Sequence, residues 1–149
     1  MTEIRRIHQL EGTGIEKLAA ESETEGYRFV RRLIDDFESG RNRFGEKGEI
    51  LLGVWEANGR LVAVGGLNRD PFTEDENIGR LRRFYVSADS RRHGIGSLLL
   101  DAIVSRSTDF QKLVLRTDSA NADAFYRKNG FLPVEGHPEY THERKVIRS

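Results

Sequence analysis

Arg91-Arg92-His93-Gly94-Ile95-Gly96-Ser97 sets two arginines and two glycines directly ahead of an apolar helical repeat. Without Cβ atoms, Gly94 and Gly96 let the backbone turn sharply and approach a ligand closely. A helix opening at that point aims its unpaired N–H groups and the positive end of its dipole back at the loop. With the two arginines beside it, the stretch reads as an anion site, most naturally for a phosphate group.

Three glycine loops could hold that phosphate. A P-loop needs Gly-x-x-x-x-Gly-Lys-Ser/Thr, and no such run occurs. A dinucleotide fingerprint needs a third glycine where Leu99 stands, and this loop follows Asp89-Ser90-Arg91-Arg92-His93 instead of leaving a strand directly. The third pattern, Arg/Gln-x-x-Gly-x-Gly/Ala opening a helix, is filled by Arg91, Gly94 and Gly96.

The elements that must position this loop follow from periodicity. A first strand is expected at 4–8. Thr13-Gly14-Ile15-Glu16 has the spacing of a capping box for a short helix with Ile15, Leu18 and Ala19 on its apolar side. A polar, acidic stretch at 21–26 should separate it from a helix with Val30, Leu33, Ile34 and Phe37 at i, i+3, i+4 and i+7, stopped by Ser39-Gly40. Strands at 49–57 and 61–67 flank the hairpin signal Asn58-Gly59, and Gly65-Gly66 predicts a bulge or a close backbone approach. After an acidic loop at 68–77 comes a central strand at 79–87. Next is a helix burying Ile95, Leu98, Leu99, Ala102 and Ile103. A strand at 112–117 should lie parallel to the central one through a right-handed crossover. A last helix is capped by Asn121, with Asp123 in its first turn, and closed by Asn129-Gly130. Strands at 131–134 and 140–147 end the chain. The order βααβββαβαββ is neither doubly wound nor a sandwich. It predicts an α/β (α+β) fold with a mixed, mostly antiparallel sheet and one parallel pair near its middle.

Bulk composition narrows the function classes. The 149 residues suit a single domain over 1–149 that needs no staple. The absence of cysteine excludes disulfides, thiolate metal sites and a cysteine nucleophile, and fits a reducing cytoplasm. Lys and Arg (24) balance Asp and Glu (24), giving no reason to expect nucleic acid or a membrane surface as partner. His8, His93, His137 and His142 lack metal-ligand spacing, so no metal is expected. No apolar run approaches the roughly 20 residues of a membrane span, and the N-terminus lacks a signal-peptide core. The expectation is a soluble cytoplasmic protein.

On both glycine loop and helix, the sequence resembles the GNAT superfamily of acetyl-CoA-dependent N-acetyltransferases. Residues 81–100 look like its acyl-CoA-binding motif. Asn121-Ala122-Asp123-Ala124-Phe125-Tyr126-Arg127-Lys128-Asn129-Gly130-Phe131 is similar to its second motif, in the variant reading Ala-Phe-Tyr. The resemblance implies a twisted sheet of about seven strands with helices on both faces, and acetyl-CoA as co-substrate. The backbone of Phe84, Tyr85 and Val86 would lie along the pantetheine arm, with Phe84 and Val86 pairing to it. The N–H groups around Arg92, His93, Gly94, Ile95, Gly96 and Ser97 would hold the pyrophosphate, with charge from Arg91. Asn121 would touch the pantetheine arm or orient the last helix. Tyr126 would act as general acid toward the leaving thiolate, its pKa of about 10 keeping it protonated. The Val86 N–H would polarise the acetyl carbonyl. The acetyl group would pass to a primary amine of a small molecule or peptide by direct attack. A catalytically silent acyl-CoA sensor is the runner-up, and a homodimer through the sheet edge or C-terminal strands is compatible with either.

One part of the resemblance fails. Many members carry a glutamate on the central strand as general base, and here Arg80 stands near that place; arginine cannot serve. Glu74, Asp75, Glu76, Asp118 and ordered water stay open as alternatives. The acidic clusters at 21–25 and 74–76 read first as solvated loops, and Phe44 and Trp55 as packing residues.

Overall fold

The computed structural model describes residues 2–146. In chain order the elements are β1 (Thr2–Arg6), α1 (Ile15–Thr24), α2 (Phe29–Ser39), β2 (Ile50–Glu56), β3 (Leu61–Arg69), β4 (Ile78–Val86), α3 (Ile95–Ser105), β5 (Lys112–Leu115), α4 (Ala120–Lys128), β6 (Leu132–Pro133) and β7 (His142–Lys145). That is the expected βααβββαβαββ; only Ile147 of the expected last strand lies outside the described residues. The strands form one seven-stranded sheet in the order β1-β2-β3-β4-β5-β7-β6. β4 and β5 run parallel, and every other described pairing is antiparallel.

Helices cover both faces. On one side Leu99, Leu100 and Ile103 of α3 and Tyr126 of α4 pack on Val54, Leu67, Leu81 and Leu113. On the other, Ile15, Leu18 and Ala19 of α1 and Val30, Leu33, Ile34 and Phe37 of α2 pack on Leu51, Val64 and Tyr85. The expected apolar spacing of α2 is thus the buried face, and Gly40 stops that helix at φ 82. Asn58-Gly59 makes the tight β2–β3 turn, with Gly59 at φ 87.

Several local expectations are corrected. The capping box of α1 does not form: Gly14 is the N-cap, Thr13 Oγ1 accepts from the Ile15 N–H at 3.2 Å, and Glu16 reaches Arg31 instead. α1 runs through the acidic stretch to Thr24, because Glu21 and Glu25, one turn apart, reach across to the end of β4. In α3 Leu98 faces solvent and Leu100 enters the core, since the buried arc is centred between Leu99 and Ile103. Ser119, and not Asn121, caps α4, accepting from the Ala122 N–H at 3.2 Å.

Candidate active site

The cleft begins where two parallel strands separate. β4 and β5 pair only at Ile78↔Lys112, Gly79↔Leu113 and Arg80↔Val114. β4 then continues to Val86 with no partner on that side among the described residues. On its other side, β4 carries an extra residue against β3: Val64 faces Tyr85, yet Gly66 faces Arg82. Arg83 occupies the resulting bulge at φ 62, a left-handed conformation that a non-glycine residue rarely adopts. The facing glycines have steric roles: a Cβ on Gly66 would run into the Phe44 ring, and one on Gly65 would meet Phe84 at 2.8 Å.

Past the bulge, the ladder's alternation decides which groups face the opening. The Ser87 N–H donates to Val62 O at 2.7 Å, which makes Ala63↔Val86 a non-hydrogen-bonded pair. The N–H and C=O of Val86, and by alternation those of Phe84, therefore point away from β3 into the split. The Val86 carbonyl accepts from Arg91 Nε at 3.0 Å.

A cavity of about 850 Å³ fills the split. At one end lies the N-terminus of α3. Gly94 is its N-cap at φ 79, and no side chain caps the first turn. A Cβ on Gly96 would lie 3.2 Å from the Phe125 ring, so α3 and α4 meet closely there. Further back along β4 the wall includes Phe72, Arg80, Arg82 and Arg116, while Tyr27 and Phe29 stand beside Tyr85.

The residues singled out from sequence fall as follows. Phe84, Tyr85, Val86, Arg91, Arg92, Gly94, Gly96, Ser97, Asn121 and Tyr126 all line the cavity. The Ile95 side chain is buried in the core, leaving only its backbone for a ligand, and exposed His93 is not in the wall. Arg91 is engaged internally: Nη1 and Nη2 bond Glu25 at 2.8 and 2.7 Å, which raises the guanidinium pKa. Tyr85 sends its hydroxyl to Glu25 and Glu21, and burial pushes its pKa far up. Glu21 also lies 2.8 Å from Ser87 Oγ, and Arg60 bridges Glu21 and Asp89. Glu21 and the C-cap Glu25 of the first helix are thus a brace for the end of β4, while Glu16 and Glu23 hold Arg31 of α2.

Tyr126 is 8% exposed, among the rings of Phe84, Phe125 and Phe131. Its hydroxyl has no protein partner among the described residues, and burial alone lifts its pKa well above the ordinary value.

Arg80 is buried. Nε donates to Asp70 at 2.9 Å, Nη2 donates to Glu139 O at 2.8 Å, and Phe72 lies over the guanidinium at 4.7 Å. A buried ion pair therefore fills the place where a carboxylate base was sought. Glu74, Asp75, Glu76 and Asp118 are absent from the cavity wall; Asp75 caps the Asn77 N–H and Glu76 pairs with Arg69. Among the described residues, every charged side chain lining the cavity is a cation, namely Arg80, Arg82, Arg83, Arg91, Arg92, Arg116 and Lys128. Sequence reasoning missed this acceptor-end group; the only signal was the run Arg80, Arg82, Arg83, whose common exposure to one cleft depends on the bulge. No group of three or more His, Asp or Glu suited to a metal ion occurs among the described residues, and none of their helices is long and apolar enough to cross a membrane.

The split strand, the uncapped helix and the flanking α4 together define a class of acyl-transfer fold. The model of the Acetyltransferase (GNAT) family matches residues 11–131, and the chain belongs to that family of acetyltransferases. Among solved structures, a candidate acetyltransferase from Exiguobacterium sp. 255-15 is 30% identical over 97% of this chain and 93% of its own, with a TM-score of 0.87. A GNAT-family acetyltransferase of Staphylococcus aureus Mu50 shares the fold at 18% identity, covering 99% of this chain and 100% of its own, TM-score 0.77. So does N-acetylglutamate synthase of Neisseria gonorrhoeae, solved with coenzyme A and N-acetyl-glutamate: 17% identity, 99% of this chain but 36% of that one, TM-score 0.70. A search of curated proteins finds no match.

Proposed function

We propose that this chain, as a single catalytic domain, moves an acetyl group from acetyl-CoA to a primary amine by direct attack. The observation that carries the reading is the unpaired edge of β4 from Phe84 to Val86, which faces an open cleft ending at an uncapped helix N-terminus. Extended backbone beside unpaired backbone gains hydrogen bonds as an added strand does. The edge suits the amide-bearing pantetheine arm, and the first-turn N–H groups of α3 suit its pyrophosphate. Gly94 and Gly96 serve that end, one by its left-handed turn and the other by leaving room beside Phe125.

The reaction then needs positioning, a donor to the carbonyl oxygen and two proton movements. The Val86 N–H points into the split and supplies that donor, while Arg91, tied to Glu25, holds the same residue by its carbonyl. As the amine nitrogen bonds the acetyl carbon and the carbon–sulfur bond breaks, Tyr126 donates to the departing sulfur. Its raised pKa keeps the donor proton in place at working pH. The proton lost by the amine passes to water, since no carboxylate or imidazole lines the cleft among the described residues.

Calorimetry with CoA, followed by a free-thiol assay with acetyl-CoA and a panel of amines, tests the reading. Binding together with amine-dependent thiol release is expected. Absence of CoA binding would refute it. Binding without release above background would make the chain an acyl-CoA sensor instead.

A further inference from the structure

The charge of the cleft divides by position. Arg91, Arg92 and Lys128 lie toward the α3 end, where phosphates are expected. Arg82 lies four residues back from Val86 on β4, roughly 10–13 Å in the direction away from that loop. The parallel register 80↔114, carried two residues further, sets Arg116 opposite Arg82 across the opening split. Both stand on the sheet face covered by α1 and α2, because Leu113 and Leu115 face the other core.

Arg82 is half-buried and has no hydrogen bond or ion pair among the described residues. Asp36 and Asp70 are near, but Asp36 is bonded by Arg41 at 3.0 Å and paired with Arg83 at 3.5 Å, and Asp70 holds Arg80. Burial, with Arg83 and Arg80 adding repulsion, lowers the Arg82 pKa. Arg116 spends one donor on Pro138 O at 2.8 Å, a neutral acceptor that pairs with no charge. A guanidinium left unpaired in a partly desolvated cleft is costly unless something anionic joins it. Among the described residues, no anion bonds Arg82.

We propose that the acceptor is a small amine bearing a carboxylate, an amino-acid-type substrate whose acid group is bound by Arg82 with Arg116 opposite. The proposal rests on the acetyl-transfer reading above and adds its substrate class. Arg82 offers the planar fork that a carboxylate matches in two bonds. Phe72, 55% exposed at the cavity wall and lying over Arg80, supplies apolar surface for the carbon skeleton. The bulge at Arg83 supports the geometry, since it sets consecutive arginines toward the acceptor end while Phe84 and Val86 keep their backbone edge free. A polycationic acceptor would enter against the same charges that attract an acid.

The test offers paired acceptors to the wild-type protein: free L-amino acids, the same compounds as carboxamides, and spermidine, with thiol release read at saturating acetyl-CoA. The carboxylates should surpass their carboxamides in kcat/KM by about 10- to 100-fold, the worth of one or two charge-assisted hydrogen bonds. Arg82→Gln should bring that ratio close to one, and Arg82→Lys should keep part of it, while calorimetric CoA affinity stays in the wild-type range and reports that both variants fold. Carboxamides or spermidine used as well as carboxylates, or an undiminished ratio in a CoA-binding R82Q protein, overturns the anionic acceptor and leaves acetyl transfer standing. Turnover of no carboxylate by a protein that binds CoA also overturns it. Failure of the wild-type protein to bind CoA removes acetyl transfer itself, and the acceptor class with it.

Discussion

Replacing Asp70 by alanine probes the exchange of a carboxylate site for a buried ion pair. Arg80 and Asp70 have side chains 6% and 3% exposed, with Nε to Oδ1 at 2.9 Å. Asp70 Oδ1 also accepts from the Phe72 N–H at 3.3 Å, and Phe72 lies over Arg80, so one carboxylate fixes both the charge and its aromatic cover. Without it, Arg80 keeps only Glu139 O as acceptor among the described residues. Removing one partner of a buried pair costs ~3–5 kcal/mol, because the remaining charge is left desolvated. For a chain of this length that lowers Tm by roughly 6–20 °C. Urea unfolding followed by circular dichroism gives the free energy directly, and the double variant D70A/R80M should recover most of the loss by removing the orphaned charge. A D70A loss under about 1 kcal/mol, in the range of exposed pairs, would show that Arg80 is solvated and that no buried ion pair holds this end of β4.

Other expectations follow from single contacts. Tyr126→Phe should lower kcat about 100-fold, the lower range for a lost general acid, with CoA affinity nearly unchanged; equal turnover would remove Tyr126 from the reaction. Gly96→Val should weaken CoA binding about 5- to 150-fold, since overpacking against Phe125 and Val86 costs ~1–3 kcal/mol in a close-packed site; calorimetry decides it. Glu25 has its pKa lowered by Arg91 and then by Tyr85, so folding favours its ionised form. The Tm advantage of wild type over Glu25→Gln should therefore be full above about pH 4.5, the ordinary value, and shrink as pH falls through the depressed one. A gap that does not change over that range would mean the Glu25–Arg91 pair is unimportant to stability.

The element order could be read from the chain because its signals are local. The apolar spacing of Val30 to Phe37, the turn at Asn58-Gly59 and the glycines before Ile95 each act within a few residues. The expectations that failed concern groups whose partners lie far along the chain. Glu16 belonged to Arg31 and not to a capping box, and Glu21 and Glu25 reach Tyr85 of β4, 64 and 60 positions away. Asn121 and Ser119 are equally good caps by type, and only the path out of β5 selects between them. Gly65-Gly66 announced an irregularity, but the sequence could not say that the extra residue sits on the facing strand, at Arg83. The same limit hid the shared cleft of Arg82 and Arg116, which depends on a parallel register and its abrupt end after Arg80.

A cleft walled by cations changes the proton problem as well as the acceptor. An ammonium brought near like charges has its pKa lowered, because those charges favour the neutral form. Arg82 and Arg116 would thus draw in an acid group while discouraging the protonated amine beside it, delivering the attacking nitrogen uncharged without a dedicated base. Under the acetyl-transfer reading, log kcat should climb with unit slope as pH rises and level off below the solution pKa of the amine, whereas kcat/KM should break at that solution value. Neutralising Arg82 should move the kcat plateau toward higher pH. A kcat break near pH 6–7 that stays fixed when the amine is changed for one of different basicity would instead mark a carboxylate or imidazole base on the protein, and the cationic cleft would then have no part in the proton's departure.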